Sequence, residues 1–145
     1  VKAGRRGLIR AQLNGLADRR LIAALYQASQ GGVEIDMMVR EICCLRPGVE
    51  GVSENITVVS KLGRFLQHPR IYCFHNAGDP EYFFGSADWR PRNLSKRVEV
   101  ITPIRAAEHR ATLDRMLDEI LNDPDAWTLQ ADGSYVRGDE VIAGS

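Results

Sequence analysis

A histidine and an arginine lie beside two predicted strands, and together with nearby groups they could handle a phosphoryl group. His68 and Arg70 come immediately before one predicted strand, and Gly85 and Ser86 follow its predicted partner strand. Guanidinium and backbone N–H groups can hold phosphate oxygens, while an imidazole can act as a nucleophile or a general acid/base near neutral pH. The pattern therefore indicates phosphoryl-transfer chemistry, with His68 as the catalytic candidate.

The neighbours of His68 favour a functional role over a structural one. The loops around it carry three arginines and two glycines at which a ligand can approach the backbone closely: Arg40, Arg64, Arg70, Gly63 and Gly85. His75 and His109 lack such neighbours and are interpreted as structural or solvated residues. Two nearby acids, Asp88 and Glu99, are expected to form ion pairs rather than to act in catalysis. Their expected partners are Arg90, Arg92 and Arg97.

The elements that must position these residues are predicted from hydrophobic periodicity. Strands over 8–14 and 33–39 flank a helix that Asp18 caps and that Gly31 and Gly32 end, which predicts a βαβ unit. Further along the chain, the pattern predicts a short strand over 56–59, a hairpin of 71–74 and 82–84 joined by a turn over 76–80, a strand over 98–102 ended by Pro103, an amphipathic helix over 106–121, and a small hairpin of 127–130 and 134–137. This order predicts a single α/β domain with a mixed sheet and helices on its faces.

The net charge of zero is a cancellation between two regions of the 145-residue chain. Residues 1–105 hold 16 basic and 10 acidic side chains, whereas residues 106–145 hold 3 and 9. Because the acids of the second region would repel a polyanion, we expect them to lie away from the site.

Composition excludes several classes of protein. The three cysteines have no spacing typical of a zinc site or a disulfide framework and fit a reducing, cytosolic setting. No metal ligand is expected in this chain. The longest apolar stretch, 21–28, is far below the roughly 18 residues that a membrane span needs. The start at Val1 without Met indicates a piece of a longer protein.

The site residues resemble a motif of the phospholipase D fold. His68-x-Arg70, Gly85-Ser86 and Asn93 are similar to the His-x-Lys, Gly-Ser and Asn of that fold, with Arg in place of Lys. The resemblance implies a phospholipase D-like mixed sheet flanked by α-helices. Enzymes of this fold combine two such halves, in which one histidine attacks phosphorus and the other handles the leaving group. This chain carries one half, so the second must come from a dimer or from elsewhere in a longer protein.

Longer motifs in a fixed order carry a closer resemblance. They are residues 36–48 (DMMVREICCLRPG), 53–56 (SENI), 63–68 (GRFLQH), 85–89 (GSADW), 91–94 (PRNL) and 97–100 (RVEV). These motifs resemble the last catalytic domain of bacterial polyphosphate kinases, and the similarity runs from about Gly4 to Arg137. On this basis residues 1–105 are expected to form a phospholipase D-like catalytic half-domain. Residues 106–145 are expected to add an acidic helix and a small hairpin packed on the same domain.

The resemblance implies a cytoplasmic enzyme, often peripheral at the inner membrane, that reversibly moves the terminal phosphate of ATP onto inorganic polyphosphate. Its partners would be ATP or ADP, polyphosphate, the preceding catalytic domain and further copies of the enzyme, with no role for nucleic acid. The family's phosphohistidine and Mg²⁺ belong to the preceding domain, so the fragment alone is expected to be nearly inactive.

Individual roles follow from the same resemblance. Arg40 matches an arginine that contacts ATP phosphates, and His68 matches the second histidine of the site, which binds the nucleotide phosphates. Arg64, Arg70 and Ser86 are further candidates for phosphate contacts.

The chain departs from the family pattern at four positions, two of which are Gln67, where Glu is common, and Pro69, where Ser is common. Glu41 stands where the family typically has Gly, and its carboxylate is expected to sit against Arg40 and weaken phosphate binding. Gln12 stands where Lys is common.

Two alternative functions stay open, which are a phospholipase D-like phosphodiesterase half and a non-catalytic polyphosphate-binding module.

Overall fold

A computed structural model describes residue 4 and residues 6–61, 70–91 and 99–144. Within these residues the chain forms one nine-stranded mixed sheet in the order β6-β5-β4-β1-β2-β3-β7-β8-β9, with two helices. The strands are β1 Gly7–Leu13, β2 Glu34–Val39, β3 Ile56–Ser60, β4 Arg70–Asn76, β5 Asp79–Gly85, β6 Ile101–Ile104, β7 Trp127–Leu129, β8 Tyr135–Arg137 and β9 Glu140–Ile142. The helices are α1 Arg19–Gln30 and α2 Ala107–Leu121, and neither has the length and apolar character that a membrane span requires.

The predicted βαβ unit is confirmed at the centre of the sheet. β1 pairs in parallel with β2, and α1 connects the two strands. The Asp18 carboxylate accepts hydrogen bonds from the N–H groups of Arg20 and Leu21 at 3.0 and 3.1 Å, which satisfies free donors in the first turn of α1. At the other end, Gly31 N–H donates to the Gln27 carbonyl. The helix therefore begins and ends where its capping residues predict.

The predicted hairpin of β4 and β5 is also confirmed, with a tighter turn than expected. Ala77 and Gly78 alone form the loop, with φ of 54° and 96°. Two consecutive positive φ values are typical of a type I′ turn, whose twist matches that of the flanking strands. Asp79 and Pro80, predicted in the turn, lie in β5 and pair with Asn76 and His75.

The prediction that Pro103 ends its strand is wrong. β6 runs from Ile101 to Ile104, and Pro103 pairs with Phe83 inside it. Proline is tolerated there because β6 is the edge strand of the sheet, where one side of the backbone needs no partner. Val98, the first residue of the predicted strand, lies outside the described residues.

The two helices pack on opposite faces of the sheet. One core joins α1 to the sheet through side chains that include Ala11, Leu13, Ile22, Leu25 and Ile35. A second core joins α2 to the other face through Ile71, Cys73, Tyr82, Leu113 and Leu117. Strand geometry explains the two cores. Arg10 pairs with Cys73 of the second core, and Ala11 of the first core is the next residue of β1, so its side chain points to the opposite face.

The acidic C-terminal region continues the same sheet. The predicted final hairpin is confirmed as β7 and β8, and β9 extends it. In α2, Asp114 and Asp118 both form ion pairs with Arg10 of β1, so these acids are engaged by a basic residue of the sheet. The boundary between 1–105 and 106–145 stays a prediction.

Candidate functional site

The candidate site lies along one edge of the sheet, where four strands begin or end. β1 and β2 are parallel, so both C-terminal ends reach this edge. β4 is antiparallel to β1 and starts there with Arg70, which pairs with Gly85 at the end of β5. The predicted meeting of Arg70 with the Gly85-Ser86 segment is therefore confirmed.

Three loops that follow these strands are held together by backbone hydrogen bonds around Leu16, which is fully buried. Leu16 N–H donates to the Ile42 carbonyl at 2.8 Å, and Cys44 N–H donates to the Leu16 carbonyl at 2.9 Å. On the other side, Trp89 N–H donates to the Gly15 carbonyl at 3.0 Å. The segments after β1, β2 and β5 thus form one hydrogen-bonded unit at the sheet edge.

A partly buried ion pair between Arg70 and Asp88 fixes the centre of this unit. The Arg70 Nε and Nη2 atoms lie 3.3 and 3.0 Å from the two Asp88 oxygens, and Asn14 and Gly15 add backbone N–H bonds at 2.7 and 3.2 Å. Burial by itself would raise the pKa of Asp88, but the Arg70 and backbone hydrogen bonds outweigh it and hold that pKa below its usual value. The carboxylate therefore stays ionised and orients Arg70.

This pairing corrects the expected partner of Asp88. The sequence predicts Arg90, Arg92 or Arg97 as the partner of Asp88, whereas its guanidinium partner in the structure is Arg70. Arg92 and Arg97 lie outside the described residues. Arg90 bonds a different acid, as described below.

Ser86 binds the segment that precedes β6. Its hydroxyl donates to a Glu99 carboxylate oxygen and accepts the Val100 N–H at 3.2 Å, and its own N–H donates to the Val100 carbonyl at 3.0 Å. Ser86 is nevertheless exposed at the site edge.

Hydrogen bonds hold the backbone of Arg40, whereas its guanidinium is available to a ligand. Its N–H donates to the Leu13 carbonyl at 3.2 Å, and its carbonyl accepts the Ser60 hydroxyl at 3.3 Å. The side chain is partly exposed, and no residue in the described ranges forms a hydrogen bond or ion pair with it. Arg40 thus places a cation at the edge where the loops meet.

Glu41 does not sit against Arg40 as the sequence analysis expected. Its carboxylate bonds Arg90 Nη2 at 2.7 Å. Its backbone N–H donates to the Asn14 carbonyl at 2.8 Å, so the residue also belongs to the hydrogen-bonded unit.

Two predicted site residues, His68 and Arg64, lie outside the described residues. Three further residues of the site are not predicted from the sequence. Asn14 is buried at the end of β1, Gly15 provides space for Arg90, and Trp89 stacks on Tyr72 with ring centroids 5.4 Å apart. An Asn-Gly pair directly after a strand was the available signal for the first two.

Gln12 is another buried polar group on β1. Only 1% of its surface is exposed, and its Oε1 atom has no hydrogen-bond partner among the described residues. Gln12 therefore lies on a covered part of the sheet although its side chain is polar.

The side chains of the described residues do not form a site for Mg²⁺. In the described ranges, no group of three or more His, Cys, Asp or Glu side chains could hold a metal ion. Asp88 is already committed to Arg70, and Glu99 to Ser86. No chemical step is assigned to a metal on this chain.

Solved structures share this fold. Polyphosphate kinase from Porphyromonas gingivalis matches with a TM-score of 0.90 and 38% sequence identity, over 99% of this chain and 22% of that one. NucT from Helicobacter pylori matches with a TM-score of 0.62 over 79% of this chain and 78% of that one. Its 13% identity supports a common fold and nothing further. The phospholipase D-like α/β fold predicted from the sequence is confirmed.

Sequence relatives cover nearly the whole chain. It is 53% identical to a polyphosphate kinase of Synechocystis sp. over 92% of this chain, and 49% identical to one of Dictyostelium discoideum over 98%. The chain spans only 18% and 14% of the lengths of these two relatives. The sequence profile described as "Polyphosphate kinase C-terminal domain 2" matches residues 1–142. The chain therefore belongs to the polyphosphate kinase C-terminal domain 2 family.

Proposed function

We propose that this chain is the part of a polyphosphate kinase that holds nucleotide phosphates while the terminal phosphate of ATP moves reversibly onto inorganic polyphosphate. The observation that carries the proposal is the Arg40 guanidinium, which has no protein partner in the described ranges and lies at the edge where the loops after β1, β2 and β5 meet. A guanidinium can bind phosphate through two parallel hydrogen bonds, and it keeps its charge at any physiological pH.

The roles of the other residues follow from their positions. His68 binds the nucleotide phosphates and protonates or positions the transferring group. Arg70, which Asp88 orients, contributes further phosphate contacts together with Arg64 and Ser86. Fixed cations of this kind stabilise the charge that develops on a phosphoryl group in transit.

The proposed enzyme needs a second half. The nucleophilic histidine and Mg²⁺ belong to the preceding catalytic domain, which packs against the edge that carries Arg40. The enzyme assembles with further copies of itself. Its substrates are ATP or ADP and polyphosphate, and it does not act on nucleic acid. The enzyme works in the cytoplasm, with a peripheral association with the inner membrane.

The test measures ATP-dependent polyphosphate synthesis by the full-length enzyme. Arg40→Ala and His68→Ala should each reduce kcat/KM by about 100-fold, because each removes a group that contacts the phosphates. Arg40→Lys should recover only part of the loss, because a point charge cannot replace a planar fork. Arg6→Gln is the matched control, since Arg6 pairs with exposed Glu34 near the N-terminal ends of β1 and β2. Near-normal synthesis in both alanine variants would reject these roles.

Preparations of the isolated chain and of the full-length enzyme separate the alternatives. Robust synthesis by residues 1–145 alone would contradict the need for a second half. Hydrolysis of a phosphodiester substrate by a dimer of the chain would favour a phosphodiesterase half. Unchanged polyphosphate binding and unchanged full-length catalysis in His68→Ala would favour a non-catalytic binding module.

A further inference from the structure

We propose that Arg90 is a positioning residue that neutralises Glu41 and so keeps the neighbouring Arg40 available to anionic phosphate. The inference rests on the proposed function, in which Arg40 binds the nucleotide. It assigns a role to an ion pair between residues 49 positions apart, in which Glu41 belongs to the loop after β2 and Arg90 to the segment after β5.

The contact itself is well defined. Arg90 Nη2 lies 2.7 Å from Glu41 Oε2, with 21% of the Arg90 side chain and 49% of the Glu41 side chain exposed. The backbone on both sides of the pair is held as well. Glu41 N–H bonds the Asn14 carbonyl, and the residue before Arg90, Trp89, bonds the Gly15 carbonyl. The two charged groups are therefore brought together by a fixed frame.

Gly15 makes room for the Arg90 guanidinium. A Cβ atom at position 15 would lie 1.8 Å from Arg90 Nε and 2.4 Å from both Cζ and Nη2, which is far inside van der Waals contact. The Nε atom is buried without a hydrogen-bond partner among the described residues. A buried donor that goes unsatisfied is costly, so the Glu41 carboxylate is the favourable contact that holds the guanidinium against Gly15.

The electrostatic consequence concerns Arg40. Its Cα atom is about 3.8 Å from that of Glu41. With Arg90 in place, the Glu41 charge is balanced and Arg40 contributes a net positive charge. Without Arg90, the Glu41 carboxylate is left to compete for Arg40 and to repel a phosphate bound there. Because all three groups are partly exposed, the effect is moderate and weakens as salt is added.

The test measures the Kd of the full-length enzyme for ATP and for inorganic tripolyphosphate, together with KM and kcat for synthesis. Arg90→Gln should raise both Kd values and the KM for ATP about three- to tenfold at low salt, with a smaller effect at high salt and little change in kcat. Arg90→Lys should stay close to wild type. Glu41→Gln should bind at least as tightly as wild type, and the double variant Arg90→Gln/Glu41→Gln should return to within about twofold of it.

Two patterns would overturn the inference. Equal weakening by Glu41→Gln and Arg90→Gln would mean that the pair only ties two loops together. No rescue in the double variant would mean that Arg90 itself contacts phosphate. If Arg90→Gln fails to fold, Glu41→Gln and Glu41→Gly decide the matter, since weaker binding in either contradicts the inference.

Failure of the proposed function gives a different result. A wild-type enzyme that binds tripolyphosphate but synthesises no polyphosphate would reject that function, while the order of affinities among the variants would still test Arg90. Arg6→Gln, which breaks an Arg–Glu pair with a 2.9 Å contact near the opposite edge of the sheet, should leave all these affinities unchanged.

Discussion

Arg70 and Asp88 meet through two side-chain contacts, in which Nε and Nη2 of the arginine face separate oxygens of the carboxylate at 3.3 and 3.0 Å. Asp88 also accepts the backbone N–H groups of Asn14 and Gly15, so one carboxylate joins the start of β4, the end of β1 and the loop after β5. A carboxylate in this position ties three segments of the sheet together.

Replacement of Asp88 should destabilise the chain. Asp88→Asn removes the counter-charge of Arg70, whose side chain is 17% exposed, and should lower the free energy of unfolding by about 2–4 kcal/mol. Urea unfolding at pH 7 measures this change. Asp139→Asn, at an exposed position, is the control and should change stability by less than about 0.5 kcal/mol. Equal stability of the two variants would contradict the structural role of Asp88.

The ionisation of Asp88 should make the free energy of unfolding depend on pH. The pKa of Asp88 is held below its usual value of 3.8, so its contribution to stability is present above that value and is lost as pH falls through the lower, folded-state pKa. The difference in unfolding free energy between wild type and Asp88→Asn should therefore be largest near pH 7 and shrink below about pH 4. Urea titrations between pH 7 and pH 3 would measure it, and a constant difference would argue against an ionised Asp88.

Gly15→Ala should act on nucleotide binding through Arg90. The added Cβ displaces the guanidinium from Glu41, so the Kd for ATP should rise about three- to tenfold, as in Arg90→Gln. Gly15 does not have a positive φ, and a flexible side chain can move aside, so the unfolding free energy should fall by no more than about 1 kcal/mol. Wild-type affinity in this variant, measured beside its melting temperature, would contradict the described position of Arg90.

Local patterns predicted the elements of this fold better than their arrangement. Asp18 and Gly31 mark the ends of α1 because capping is a local interaction, and the β4–β5 hairpin follows from adjacent strands. The pairing of β1 with β4 and of β3 with β7 depends on contacts between distant parts of the chain, which hydrophobic periodicity does not contain. Pro103 was misjudged for the same reason, because only the sheet order reveals that β6 is an edge.

The same contrast between local and distant contacts applies to the candidate site. Arg70 and Gly85 could be placed together because a single hairpin joins them. The partner of Asp88 was sought among arginines nearby in sequence, whereas Arg70 reaches it from the start of β4, 18 positions away. The link from Glu41 to Arg90 crosses 49 positions. Ion pairs of this kind depend on the tertiary arrangement of loops, which a single sequence leaves open.

The position of β1 between β2 and β4 also bears on how the chain is made. During synthesis, a chain that has emerged through Ser60 can pair β1 with β2 and β2 with β3, but β4 starts only at Arg70. Until β4 arrives, the backbone N–H and C=O groups along one side of Gly7–Leu13 have no partner, and β1 is temporarily an edge strand. The emergence of residues 61–76 is therefore an interval in which two nascent copies can mispair with each other through β1.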